Sequence, residues 1–200
     1  MNLVSQAAVF AVNAHDGMLR KGTKIPYIVH PMEVAAIAAS LTDDPEVIAA
    51  SLLHDVMEDC GVTQKQLFEQ FGERVANLVA YESQMEKGNP SETWEARKQA
   101  AIDRIVCGDS DTQIIALADK LSNIRAIARD YTREGDALFF RFNQRDKSRY
   151  GWYYRSCAAL LKTRFGHTNV WQELSEWIEY VFEDVSGDLK NDRNEEACAG

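Results

Sequence analysis

The sequence predicts an all-α protein, an irregular helical bundle of about eight to ten helices. Three observations carry this. Proline occurs only at Pro26, Pro31, Pro45 and Pro90, and each falls in a loop or at a helix start, where a fixed φ and a missing N–H do no harm. Apolar residues recur at helical spacing along most of the chain. No alternating apolar–polar run of any length is present, and Tyr27–Val29 is the one short extended candidate. Helix and loop lengths vary, so the bundle is irregular rather than up-and-down.

Each helix has a local justification. Residues 2–15 place Val4, Ala8, Ala11 and Val12 on one face. The polar loop DGMLRKGTKIPYIVH follows. Pro31 then opens a helix through Val34, Ala35, Ile37, Ala38 and Leu41, with His30 at its N-cap. Asp44-Pro45 starts a third helix that VIAASLLHDVMED carries to about Asp59. Thr63 and Gln66 have capping-box spacing for a short helix ending before Gly72. Helix is expected over 73–85, a turn at KGNPSE, and helix again from Ser91 through Trp94–Ile105. Asp109-Ser110-Asp111 caps the apolar segment TQIIALADKLSNIRAIARDY, and two more helices fall at about 146–165 and 169–184. On the last of these, Trp171, Leu174, Trp177, Ile178 and Val181 form a packing stripe.

The chain has 200 residues, 46% of them hydrophobic, and a net charge of −9. That length supports one core, so residues 1–185 are expected to form a single domain and the polar stretch 186–200 a flexible tail. The acidic balance argues against a nucleic-acid binder, which needs a basic face, but permits a small anion in a locally basic pocket. No apolar run approaches the ~20 residues of a membrane span. Cys60, Cys107, Cys157 and Cys198 have no paired spacing and read as reduced thiols of a cytoplasmic protein.

Three segments carry the chemistry: YIVHP at 27–31, HDVMED at 54–59, and LADKLSN at 117–123. His54, Asp55, Glu58 and Asp59 place four ionisable groups on an otherwise apolar helix, at spacings that project them from one face. Such a cluster is costly without a cation or a polar cleft. Imidazole nitrogen with carboxylate oxygen suits a divalent transition metal. His30 and Asp119 are the natural further ligands, Asp119 because it interrupts the apolar run IIALA. Taken singly, each feature has a plainer reading. Glu58 and Asp59 could be a solvated helix end, Asp119 an ion-pair partner of Lys120 or Arg125, and Arg20 and Lys21 solvated loop charges. His15 reads as structural, closing the first helix, and His167 as a surface residue. The joint pattern of a separate His, a His-Asp pair and a distant Asp is the signature of HD-domain metal phosphohydrolases.

The pattern HxGxxRKxxxxPYIxHPxxVA from His15 to Ala35, with LLHDVMED and LADKLSN, resembles the hydrolase domain of RelA/SpoT homologues, over about residues 5–160. The chain is similar to the stand-alone small alarmone hydrolases, including the metazoan type. The resemblance implies that His30, His54, Asp55 and Asp119 bind one metal ion, usually manganese. It implies that Glu58 and Asp59 orient and activate the attacking water, and that Arg20, Lys21 and Asn123 contact the substrate, with Arg149 and Tyr153 aligned more loosely. The implied activity removes the 3′-pyrophosphate of (p)ppGpp, the alarmone of the stringent response, to give GDP or GTP plus pyrophosphate. Alternatives are an HD phosphohydrolase acting on (p)ppApp or NADPH, or a non-catalytic nucleotide-binding regulator. The expected partner is a small nucleotide, without nucleic acid or membrane, and a homodimer stays open. The chain departs from the family at Cys60, where Thr is common, at Met18, where Gln is usual, and in segments 81–87 and 132–145.

Overall fold

A computed structural model of the chain describes residues 1–83 and 93–185. The described residues form ten α-helices, one 3-10 helix and no strand: α1 Leu3–Ala14, α2 Val29–Ala38, α3 Pro45–Leu53, α4 Val56–Asp59, α5 Gln64–Phe71, α6 Glu73–Ser83, α7 Trp94–Cys107, α8 Ser110–Glu134, η1 Gly135–Arg141, α9 Lys147–Phe165 and α10 Asn169–Phe182. The chain divides into two compact units, Met1–Lys87 with Ser110–Asp119, and Gly88–Asp109 with Lys120–Gly200, so the division falls inside α8. Among the described residues no helix is long and apolar enough to cross a membrane.

In the first unit α3 is the central element. It packs on α1, α2 and α6, and Val47, Ala49, Ala50, Ser51, Leu52 and Leu53 are all buried. A helix apolar all round must be covered all round, and the small Ala49, Ala50 and Ser51 allow close approach. Asp44 caps α3 through the Glu46 N–H at 2.9 Å, with Pro45 in the first turn. The Thr63–Gln66 capping box starts α5 as expected, and Gly72 at φ 88° ends it. In the second unit α9 packs on α7 and α10. The buried stripe of α10 is Leu174, Ile178, Val181 and Phe182. Trp171 and Trp177 flank it half-buried, their indole N–H groups donating to the Ala158 carbonyl at 2.8 Å and to Glu173 at 3.1 Å. Gly151 marks the closest approach: an added Cβ would stand 3.2 Å from Val185 and 3.4 Å from Phe182.

Several expectations are corrected. The third helix is not continuous to Asp59: it stops at Leu53, and α4 begins at Val56. The His54 ring donates from Nδ1 to the Ser51 carbonyl at 2.9 Å, and such a local bond competes with the helical ladder. The second helix starts at Val29, so His30 lies in its first turn and Ile28 takes the N-cap position without a side-chain bond. Proline two residues on is accommodated because first-turn N–H groups have no intrahelical partner. Tyr27–Val29 is not a strand; the extended contact is an isolated bridge between Leu19 and Pro26. Residues 135–141 form the 3-10 helix η1, which periodicity did not signal. Cys107 is disulfide-bonded, against the expectation of four reduced thiols, while Cys60 and Cys157 are free; sequence spacing does not say which thiols meet in space. The KGNPSE turn, Ser91, Cys198 and the tail at 186–200 lie outside the described residues.

Candidate metal centre

Three places in the first unit bring the ionisable groups together. His30 comes from the first turn of α2, His54 and Asp55 from the break between α3 and α4, and Asp119 from α8. Their side chains converge. His54 Nε2 stands 3.1 Å from Asp55 Oδ2 and 3.7 Å from Asp119 Oδ1. His30 Nε2 stands 3.2 Å from Asp119 Oδ1 and 3.6 Å from Asp55 Oδ2. One donor atom each from His30, His54 and Asp55 lies within 4.8 Å of the others, and Asp119 approaches both imidazoles. Both histidines are buried.

The His54 ring shows why the break matters. Its Nδ1 is the protonated nitrogen, because the Ser51 carbonyl can only accept. Nε2 therefore faces the carboxylates, and it is buried outside hydrogen-bond geometry with either of them. Buried polar atoms are rarely left in that condition, and fixing one ring nitrogen so that the other is exposed to a cation is how metal-binding imidazoles are held. The donor set of two imidazoles and two carboxylates suits a divalent transition metal. The residues fit such an ion, as the sequence pattern predicts.

Electrostatics couple the four groups. Burial pushes the Asp55 carboxyl up, but His54 and His30 overcome it and hold Asp55 well below the usual carboxylate range. Burial likewise opposes charge on His54, yet Asp55 and Asp119 raise it well above an ordinary imidazole. His30 is lowered, chiefly by burial. Removing one partner from such a buried set is strongly destabilising to the charge left behind.

Glu58 and Asp59 occupy α4 directly after the break, Glu58 half-buried and Asp59 exposed. They do not share one continuous helix with His54, as i and i+4 spacing had suggested, although the Asp59 N–H still bonds the Asp55 carbonyl at 2.9 Å. Partial desolvation of its carboxyl group and the neighbouring Asp55 charge raise Asp59. Arg20 is half-buried and Lys21 exposed, in a loop whose backbone turns at positive φ at Gly17 and Gly22, a region open to glycine without strain. The Arg20 guanidinium carbon stands 5.5 Å from the centre of the Tyr27 ring. His15 closes α1 as expected, with Nδ1 donating to the Ala11 carbonyl at 3.0 Å.

Asn123, Arg149 and Tyr153 belong to the second unit. Asn123 is half-buried on α8. Arg149 pairs with Glu95 and lies 3.4 Å from Asp146. Tyr153 is buried against Trp94 and Tyr154, with the Lys98 and Lys120 ammonium groups 4.9 and 5.8 Å from its ring centre. Arg125, considered as an Asp119 partner, instead forks onto Glu173 at 2.7 and 2.6 Å. The two departing positions Met18 and Cys60 touch each other, Sγ to Sδ, at 3.9 Å, and burial with Asp59 and Asp55 pushes the Cys60 thiol up to about 11.

One site residue escaped the sequence reading. The Tyr27 hydroxyl donates to Asp55 Oδ2 at 2.7 Å. The available signal was an aromatic residue with a polar tip in a charged loop, three positions before His30.

Comparison with known proteins agrees with this geometry. A Vibrio cholerae protein named guanosine-3′,5′-bis(diphosphate) 3′-pyrophosphohydrolase is 38% identical over 124 residues, which is 61% of this chain and 17% of that protein. A Myxococcus xanthus protein named GTP pyrophosphokinase is 36% identical over 132 residues, again 17% of its length. The chain thus spans about a sixth of the length of these curated relatives. A solved structure described as a metazoan ortholog of SpoT that hydrolyzes ppGpp superposes with a TM-score of 0.73 at 25% identity, covering 90% of this chain and 95% of that one. The HD-domain model matches residues 7–147, a span that includes His30, His54, Asp55 and Asp119. The chain belongs to the HD-domain family.

Proposed function

We propose that the chain is a manganese-dependent hydrolase that removes the 3′-pyrophosphate from ppGpp and pppGpp, consuming one water to give GDP or GTP plus pyrophosphate. The observation that carries this reading is the donor set itself: the buried Nε2 of His54 facing Asp55 and Asp119 beside His30. The names of the relatives and of the superposed structure supply the substrate class.

His30, His54, Asp55 and Asp119 would hold the ion. When bound, it would supply a Lewis acid that polarises the scissile phosphate and lowers the pKa of a water toward neutrality. Glu58 and Asp59, directly after the break, orient the attacking water and accept its proton. Arg20 and Lys21 offset charge on the leaving pyrophosphate. Asn123, Arg149 and Tyr153 are assigned as substrate contacts on the resemblance. Cationic side chains and a bound cation would let a protein of net charge −9 accept a polyanion. The working compartment in this reading is the cytoplasm.

The test is a substrate panel of ppGpp, pppGpp, ppApp and NADPH, with and without manganese, resolved by anion exchange. Metal-dependent release of pyrophosphate from ppGpp is the expected result. Turnover of ppApp or NADPH alone would move the reading to the other substrates. Nucleotide binding without turnover would make the chain a regulator.

A further inference from the structure

We infer that Tyr27 is a positioning residue that links the metal ligand Asp55, the acid Asp59 and the phosphate-binding Arg20. The inference rests on the hydrolase reading only for the roles of Asp59 and Arg20. The geometry is direct. The Tyr27 hydroxyl donates at 2.7 Å to Oδ2 of Asp55. That same oxygen faces both imidazoles, 3.1 Å from His54 Nε2 and 3.6 Å from His30 Nε2. The hydroxyl therefore fixes the carboxylate rotamer that presents Oδ2 to the cluster. Asp59 is tied to the same residue through the backbone, its N–H donating to the Asp55 carbonyl at 2.9 Å.

The ring is held as firmly as the hydroxyl. It stacks on His15 at 5.0 Å and 18°, and His15 is pinned by its Nδ1 bond to the Ala11 carbonyl. His30 meets it edge-on at 5.9 Å. The Tyr27 backbone is anchored on both sides, N–H to the Met18 carbonyl at 2.8 Å and C=O from the His30 N–H at 2.9 Å. With the ring fixed, the hydroxyl has little freedom to leave Asp55, and the Arg20 guanidinium 5.5 Å from the ring centre has a surface to rest on. Residues that hydrogen-bond a metal ligand typically change metal affinity by about 10–100-fold.

Two substitutions separate the hydroxyl from the ring. Tyr27→Phe keeps the stack on His15 and the surface under Arg20 but removes the donor. Tyr27→Leu removes both. Manganese titration of the metal-free proteins by calorimetry, steady-state kinetics on ppGpp, and circular dichroism to verify the helical fold are measured together. For Tyr27→Phe the expected result is metal Kd weakened about tenfold or more and kcat lowered, with KM within twofold. For Tyr27→Leu, KM rises as well. A merely structural role would lower stability without dividing kcat from KM in this way. A Tyr27→Phe protein with metal Kd and kcat within twofold of wild type overturns the inference, and an unchanged KM in Tyr27→Leu removes Arg20 from it. If wild type does not hydrolyse ppGpp, the hydrolase reading fails, while the calorimetric comparison still decides whether Tyr27 positions Asp55.

Discussion

Replacing Arg74 by alanine should lower thermal stability by an amount that salt controls. Arg74 stands on α6, and its guanidinium reaches Asp44 at 2.8 Å, Glu46 at 2.7 Å and Asp111 at 2.6 Å. Asp44 is the N-cap of α3, Glu46 lies in its first turn, and Asp111 lies in the first turn of α8. One cation thus staples two helix starts to a third helix. The Arg74 side chain is 41% exposed, so each pair carries only the ~0.2–1 kcal/mol of a solvent-screened ion pair. Three such pairs give an upper bound of about 3 kcal/mol. The acids left behind are not stranded, because a helix N-terminus favours a negative charge by ~0.3–1 kcal/mol. The net cost should fall at about 1–2 kcal/mol, which for a chain of this size lowers Tm by roughly 2–8 °C. Differential scanning calorimetry at low ionic strength and at ~1 M salt, where the Debye length is about 3 Å, is the assay. The deficit should shrink in high salt, and Arg74→Lys should restore only part of it because a single ammonium cannot fork. A Tm unchanged at low salt, or a deficit of equal size in both buffers, would refute the reasoning.

Asp55→Ala should weaken metal binding by more than the ~100-fold ceiling for an outer partner and abolish turnover. It should leave α4 intact, since Asp55 makes no side-chain cap bond there; stoichiometric metal with turnover would remove Asp55 from the ligands. Glu58→Ala or Asp59→Ala should retain metal while kcat falls by ~10²–10⁴-fold, and a metal-free Glu58→Ala protein would contradict its assignment. Arg20→Ala and Asn123→Ala should raise KM about tenfold or more, the loss of one charge-assisted contact, with metal content unchanged by elemental analysis. Acid titration should unfold the protein in a defined direction. Asp44, Glu173 and Asp184 are lowered by Arg74, Arg125 and Lys147, so their stabilisation is present above the ordinary values of 3.8 and 4.5 and is lost as pH falls through the lower folded-state values. A Tm that holds steady or rises from pH 6 to pH 3 would contradict this.

What the sequence disclosed divides by the range of the interaction. The capping box at Thr63–Gln66 and the cap at Asp44 are local, and each helix start they mark is found within a residue. Asp119 stood out because a carboxylate inside an apolar run needs a partner, and its partners are the two imidazoles. The break at His54–Asp55 was hidden because helical periodicity cannot register a side chain that takes its own helix's carbonyl. The Arg125–Glu173 fork spans 48 positions in sequence, and the Tyr27–Asp55 bond spans 28. No spacing rule reaches that far, so neither Glu173 as the partner of Arg125 nor Tyr27 as a neighbour of Asp55 is legible in the sequence.

The break at His54 also bears on how variants of this chain are to be interpreted. Its ring closes α3 with one nitrogen and faces the carboxylates with the other, so any replacement lowers cellular abundance and chemistry at once. An abundance loss of several-fold needs only ~1–2 kcal/mol, enough to mimic an inactive enzyme in a growth screen. Ser83, whose hydroxyl donates to the His54 carbonyl at 3.1 Å, touches the helix end and not the donor set, whereas Asp119 touches the donor set from α8. Protein level and specific activity scored side by side would show folding alone at position 83, and folding together with chemistry at positions 119 and 54.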